Sequence, residues 1–158
     1  MSKKILLTGK PLIFNYFSTI VKEEKFKLIG IPVAFIDNSV YSVKVIEGAI
    51  ESAKSRGDLF NSNRLLCSTY STLDGRQDLY VKPMNTSHVV IDAYIREINE
   101  EKYLVNDWLI LDTNSGKNLR LFIETGISMG TSIRGLGICN KEGKVSDYEY
   151  LGTDVVLN

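Results

Sequence analysis

Residues 130–137 read Gly130-Thr131-Ser132-Ile133-Arg134-Gly135-Leu136-Gly137, a hydroxyl among glycines with an arginine two positions on. Glycine lets backbone approach a ligand closely and adopts φ values that other residues avoid. A serine in such a setting is a candidate nucleophile, with neighbouring N–H groups as donors to a developing oxyanion. The plainer alternative is a turn between a helix and a strand. Spacing alone favours the turn, because short glycine motifs recur by chance. Arg134 has its own plain alternative, a surface ion pair. Serine chemistry also needs a base, and the chain holds one histidine, His88, the usual base near neutral pH. A core imidazole bonded to backbone is the competing role for His88. Asp154 lies on a later strand that could pair beside Ser132, with a strand-end carboxylate facing solvent as its plain alternative.

The elements that must position these residues follow from periodicity. Residues 27–36 form a nearly continuous apolar run and read as a strand, with Pro32 marking an edge or a bulge. Residues 42–56 carry helical spacing, with Val45, Ile46, Ala49, Ile50 and Ala53 on one face, Ser42 as N-cap and Gly57 as terminator. Residues 64–69 are a short strand, and Asp74-Gly75 marks a turn. Residues 88–98 and 102–111 alternate as two strands joined by a hairpin at Asn99-Glu100-Glu101. Ser115 is read as the cap of a helix over 117–125, ended by Gly126. Strands over 128–138 and 147–157 complete the chain. This order is not a regular βαβ alternation. It predicts an α+β domain on a largely antiparallel, barrel-like sheet flanked by helices.

At 158 residues the chain is read as one domain, spanning 1–158, with room for a real core. Its 44% hydrophobic and 24% charged content is that of an ordinary globular protein. The 19 basic and 19 acidic residues cancel, which gives no support for a nucleic-acid or anionic-membrane partner. The alternating charges from Lys22 to Lys27 read as a solvated helix end or loop. Cys67 and Cys139 make neither a disulfide framework nor a zinc site, and Cys67 reads as a small packed hydrophobe. No apolar stretch reaches the roughly 18 residues of a membrane span, and no signal-peptide pattern is present. A reducing, cytoplasmic setting is the default expectation.

The segment from Phe122 to Gly137 resembles the nucleophile segment of the tailed-phage prohead core proteases, whose pattern runs L-I-x-x-G-x-x-x-G-V-S-S-R-G-L-G; here S-x-R-G-L-G is intact. Other segments agree in order. Asn38–Tyr41 before the first helix resembles N-x-N-x-R-x-Y-P, without its proline. Asn85–Val90 resembles N-V-S-H-V-I, Leu109–Leu119 resembles I-L-x-T-x-x-G-x-x-L, and Tyr148–Val156 resembles F-x-L-x-x-x-D-V-V. The resemblance covers roughly residues 30–157. It implies a fold related to herpesvirus assemblin and a serine endopeptidase that digests scaffold and trims capsid proteins inside an immature phage head, in the host cytoplasm. It places Ser132 at the nucleophile, Asp154 at the third member, and Arg134 and Gly135 beside the oxyanion site. It implies no metal or organic cofactor, and it leaves a homodimer open.

The resemblance breaks at the base. The family carries its catalytic histidine in a segment like G-E-L-D-H-P, and the corresponding stretch here is Ser71-Thr72-Leu73-Asp74-Gly75-Arg76. Gly75 stands where that histidine would be, and His88 matches the second, non-catalytic histidine of the pattern. A serine without a base in reach is a poor nucleophile. Three readings stay open: a non-catalytic relative that serves the capsid as a binding or structural component, a protease whose base is His88 or a lysine, or an engineered replacement at Gly75.

Overall fold

A computed structural model describes residues 4–9, 12–13, 19–22, 26–57, 65–71, 77 and 79–157. Ten strands and two α-helices occur among them: β1 (Ile5–Thr8), β2 (Leu12–Ile13), β3 (Thr19–Lys22), β4 (Phe26–Phe35), α1 (Val43–Ser55), β5 (Leu65–Cys67), β6 (Thr69–Ser71), β7 (His88–Ile98), β8 (Glu101–Ile110), α2 (Asn114–Thr125), β9 (Gly130–Cys139) and β10 (Val145–Leu157). The strands divide into two sheets. One runs β1-β9-β10-β6, with β2 also on β9, and the other runs β3-β4-β8-β7-β5. Every pairing is antiparallel except β10 with β6. The fold is therefore α+β and mainly antiparallel, as the sequence predicts, with the strands in two sheets. The chain crosses from one sheet to the other at Ser68, between β5 and β6.

Local chemistry accounts for the boundaries. Ser42 Oγ accepts from Val45 N at 3.1 Å and starts α1, which buries Ile46, Ala49, Ile50 and Ala53. The β7–β8 turn puts both Asn99 and Glu100 at positive φ (50° and 68°), the two-residue turn whose twist suits a hairpin. Pro32 sits between two register shifts of β4, past the stretch that β3 covers (Phe26–Ile29), so among the described residues its missing N–H interrupts no second ladder. Ser115 does not cap α2. That role falls to Thr113, whose Oγ1 accepts from Gly116 N at 2.9 Å and donates to Thr86 O at 2.6 Å. The run from Lys22 to Lys27 joins two paired strands, with Lys22 opposite Phe26; its middle residues lie outside the described residues.

The core is continuous from Trp108, Leu28, Ile31 and Val90 on the second sheet through α1 to Ile133 and Val155 on the first. Leu119 and Ile123 of α2 join it beside β8. Full burial of such side chains contributes on the order of 1.5–3 kcal/mol each. No helix among the described residues is long and apolar enough to cross a membrane.

Candidate functional site

Ser132 and Arg134 lie two residues apart on β9 and so face the same side of the sheet. Asp154 of β10 pairs directly with Ser132, and Gly152 pairs with Arg134. These side chains meet in the interior, with Ser132 and Arg134 1% exposed and Asp154 0%. Arg134 Nε donates to Asp154 Oδ2 at 3.0 Å, and its two terminal nitrogens donate to Leu79 O and Leu66 O at 2.8 Å each. Ser68 N–H, at the crossing between the sheets, donates to Asp154 Oδ1 at 2.9 Å. Burial opposes the Arg134 charge, but Asp154 and the polar neighbours outweigh it and hold the guanidinium above its ordinary pKa. Burial, with Asp154 as the next cause, pushes the nearby Cys67 thiol up to about 12, which keeps it protonated and unreactive.

The group between Ser132 and Asp154 is Gln77. Its Nε2 donates to Asp154 Oδ2 at 2.9 Å and to Ser132 O at 3.1 Å. Both partners only accept, so the amide oxygen is left facing the Ser132 hydroxyl, with Oγ 2.9 Å from Gln77 Oε1. Ser132 Oγ has a second acceptor, Gly9 O, at 2.6 Å. Gly9 lies between β1 and β2, both of which pair along the same edge of β9, and it is tied there by Gly9 N donating to Ile133 O at 2.8 Å. The hydroxyl thus faces a carboxamide oxygen on one side and a backbone carbonyl on the other.

His88 does not meet Ser132. Its Nε2 lies 2.8 Å from Thr153 O and its Nδ1 2.8 Å from Ser87 Oγ. A carbonyl only accepts, so Nε2 carries the ring proton and Nδ1 accepts from the Ser87 hydroxyl. The ring stacks at a tilt on Trp108, with centroids 4.2 Å apart, and is fully buried. Burial lowers its pKa from 6.5 to about 4. This is the core imidazole, tying β7 to β10. Gly75, the other candidate position for a base, lies outside the described residues.

Arg134 and Gly135 sit inside a strand paired on both sides, opposite Thr8 and Leu7 of β1 and Gly152 and Tyr150 of β10. Backbone N–H groups in a central strand serve the ladder, and Arg134 and Gly135 lie within that ladder. Gly135 has another reason to be glycine: a Cβ there would come within 2.4 Å of Glu149 O and 2.5 Å of the Tyr148 ring.

No family model matches the sequence, and no curated protein matches it significantly. Among solved structures the chain is similar to the bacteriophage T4 capsid assembly protease, gp21, with a TM-score of 0.69 and 16% identity over 99% of each chain. The chain has the fold of a capsid assembly protease. At that identity the likeness carries the architecture, and the chemistry has to be read from the site.

Within that fold the structure brings Ser132, Arg134 and Asp154 together. It adds three groups that the sequence reading does not single out: Gln77, Gly9 O and Ser68 N–H. The signal for Gln77 was present, since it stands two residues beyond Gly75 in the segment aligned with the family's histidine. The polar contacts of Gly9 and Ser68 are made by backbone, and backbone contacts leave no trace in residue type.

The buried imidazole has a consequence for acid stability. The unfolded chain takes up a proton on His88 near its unperturbed pKa of 6.5, whereas the folded chain resists protonation until about 4. The contribution of His88 is therefore complete above pH 6.5 and is lost as pH falls toward 4. At about 1.4 kcal/mol per pKa unit, the loss is about 3 kcal/mol. Urea denaturation at pH 7.0 and 4.5 should show this component in the native chain and lack it in His88→Gln, which keeps a donor and an acceptor. The same pH dependence in both proteins would show that His88 does not titrate in this way.

Proposed function

We propose that this chain acts in phage head assembly as a protease-fold protein, a single domain over 1–158, that does not cleave peptide bonds at Ser132. The observation that carries the reading is Gln77. Hydrolysis through a serine requires the Oγ proton to pass to a base as the oxygen attacks, and the same group must then protonate the leaving amine. Gln77 bridges Ser132 Oγ and Asp154 Oδ2 as a triad base would, yet a carboxamide oxygen only accepts hydrogen bonds at neutral pH. Burial of Ser132 and the Gly9 carbonyl on its hydroxyl support the same conclusion. The protease reading keeps Ser132 and Asp154 in place but has, among the described residues, no proton acceptor between them.

The likeness to a capsid assembly protease, with the ordered motif matches, supports scaffold and capsid proteins as partners and the prohead interior, in the host cytoplasm, as the place of action. In this role the fold supplies a binding or structural component of the capsid. The test is intact-mass spectrometry of the full chain at high concentration after exposure to a fluorophosphonate, with Ser132→Ala as control. The native chain should carry no adduct that the control lacks. A stoichiometric adduct on Ser132 would mean that a base reaches it, and the protease reading would replace this one.

A further inference from the structure

We propose that Thr69 is an acyl-accepting hydroxyl, linked through Ser87 to His88 as its proton acceptor, at the wall of a groove that Ser132 does not line. Thr69 opens β6 and Ser87 immediately precedes β7, so the relay joins the two sheets. Thr69 Oγ1 lies 2.9 Å from Ser87 Oγ, which lies 2.8 Å from His88 Nδ1. His88 Nε2 holds the ring proton against Thr153 O, so Nδ1 only accepts and the single Ser87 proton goes to it. The Thr69 hydroxyl must then be the donor to Ser87. The result is one proton path, from Thr69 to Ser87 to His88. Backbone fixes its middle member: Ser87 N–H donates to Cys67 O at 2.9 Å, and Ser87 O accepts from Leu111 N at 3.0 Å. Ser87 and His88 are fully buried, whereas Thr69 is half-buried and lines a cavity of about 420 Å³.

A hydroxyl becomes a nucleophile when a positioned acceptor takes its proton. Thr69 Oγ1 forms a bond to the acyl carbon of an ester as the bond to the leaving oxygen breaks. The Thr69 proton passes to Ser87 Oγ as the Ser87 proton passes to His88 Nδ1, and the imidazolium returns one proton through Ser87 to the leaving group. The product is an acyl-Thr69 ester. Thr153 O and the Asp154 carboxylate favour the charged ring, while burial and Arg134 oppose it. Trp108 stacks on the ring, and the Cys67 thiol on the neighbouring strand stays protonated. The balance leaves a weak base, with a pKa of about 4. That confines the chemistry to activated esters, whose leaving groups need little protonation. Phe122, Leu157 and Met84 give the groove apolar walls suited to a short acyl chain. The relay uses neither Ser132 nor Gln77, so it stands whether or not Ser132 is reactive.

The test is treatment of the full chain carrying Ser132→Ala with 4-nitrophenyl acetate, followed by peptide mapping for acetyl on Thr69. This background removes any contribution from Ser132. Thr69 should be acetylated, Thr69→Ser should keep the modification at position 69, and Thr69→Val should lose it. Ser87→Ala and His88→Gln should each slow it at least about tenfold. The rate on Thr69 should be level from pH 6 to pH 8, because the imidazole is neutral throughout that range. A hydroxyl activated by solvent hydroxide instead gains about tenfold per pH unit. No acetyl on Thr69 at millimolar ester would overturn the site. A rate that rises about tenfold per pH unit would overturn the relay, and this profile needs no substitution within it. So would a rate that neither Ser87→Ala nor His88→Gln lowers in chains with an unchanged thermal midpoint.

Discussion

Gln77→His should make Ser132 reactive. The two ring nitrogens of histidine are spaced much like the two heteroatoms of a carboxamide, so one nitrogen can take the place of Oε1 beside Ser132 Oγ and the other that of Nε2 beside Asp154 Oδ2. The acid that would orient such a ring is already held by Arg134 and Ser68. Supplying a positioned base contributes on the order of 100- to 10,000-fold in serine reactions. The rate of fluorophosphonate labelling should therefore rise by about 100-fold or more over the native chain, and Ser132→Ala in the same background should abolish it. The gain falls short of full protease activity, because the strand around Arg134 and Gly135 uses its N–H groups in the ladder and the Gly9 carbonyl occupies the space beside the hydroxyl. Gly75→His is the informative comparison. If Gly75→His confers labelling and Gln77→His does not, position 77 is not the place of the base, and the amide bridge is incidental.

The second large effect lies in the buried ion pair. Arg134 and Asp154 are each 1% exposed at the side chain and 3.0 Å apart. A pair of this kind adds little net stability relative to a well-packed apolar pair, but removing one partner strands the other charge, at a cost of about 3–5 kcal/mol. Arg134→Met also leaves Leu66 O and Leu79 O without their donor. Urea denaturation should show a loss of about 3–5 kcal/mol, and the thermal midpoint should drop by roughly 10 °C. The double variant Arg134→Met/Asp154→Leu should recover part of that loss, since it removes the stranded carboxylate. Recovery stays partial because Ser68 N–H and the Gln77 amide lose their acceptor. A single variant as stable as the native chain would show that water or a rearranged neighbour takes over the role of the guanidinium.

Much of the architecture was legible in local pattern. The spacing of Ile46, Ala49, Ile50 and Ala53 sets the buried face of α1, Ser42 caps it, and the alternation through residues 88–110 sets the β7–β8 hairpin. These features depend on neighbours within a few residues, so local periodicity determines them. The short strands β1, β2 and β3 were not legible, because two to four residues are too few to show a period. The cap of α2 was misplaced for a related reason: Ser115 and Thr113 are equally good cap types, and what selects Thr113 is a distant acceptor, Thr86 O.

The candidate site divides along the same line. The sequence alone determined that Ser132 and Arg134 share a strand face, that one imidazole is available, and that the expected base position holds glycine. Only the tertiary structure decided which groups surround the serine: Gln77 from 55 residues away, the Gly9 carbonyl from 123 residues away, and an imidazole turned instead toward Thr153. The physical reason is that side-chain periodicity encodes which face of an element is buried, whereas the partner a buried polar group finds depends on how separate elements register against one another. Here that register, Asp154 opposite Ser132 with Gln77 closing over both, puts an amide where proton transfer would need a base.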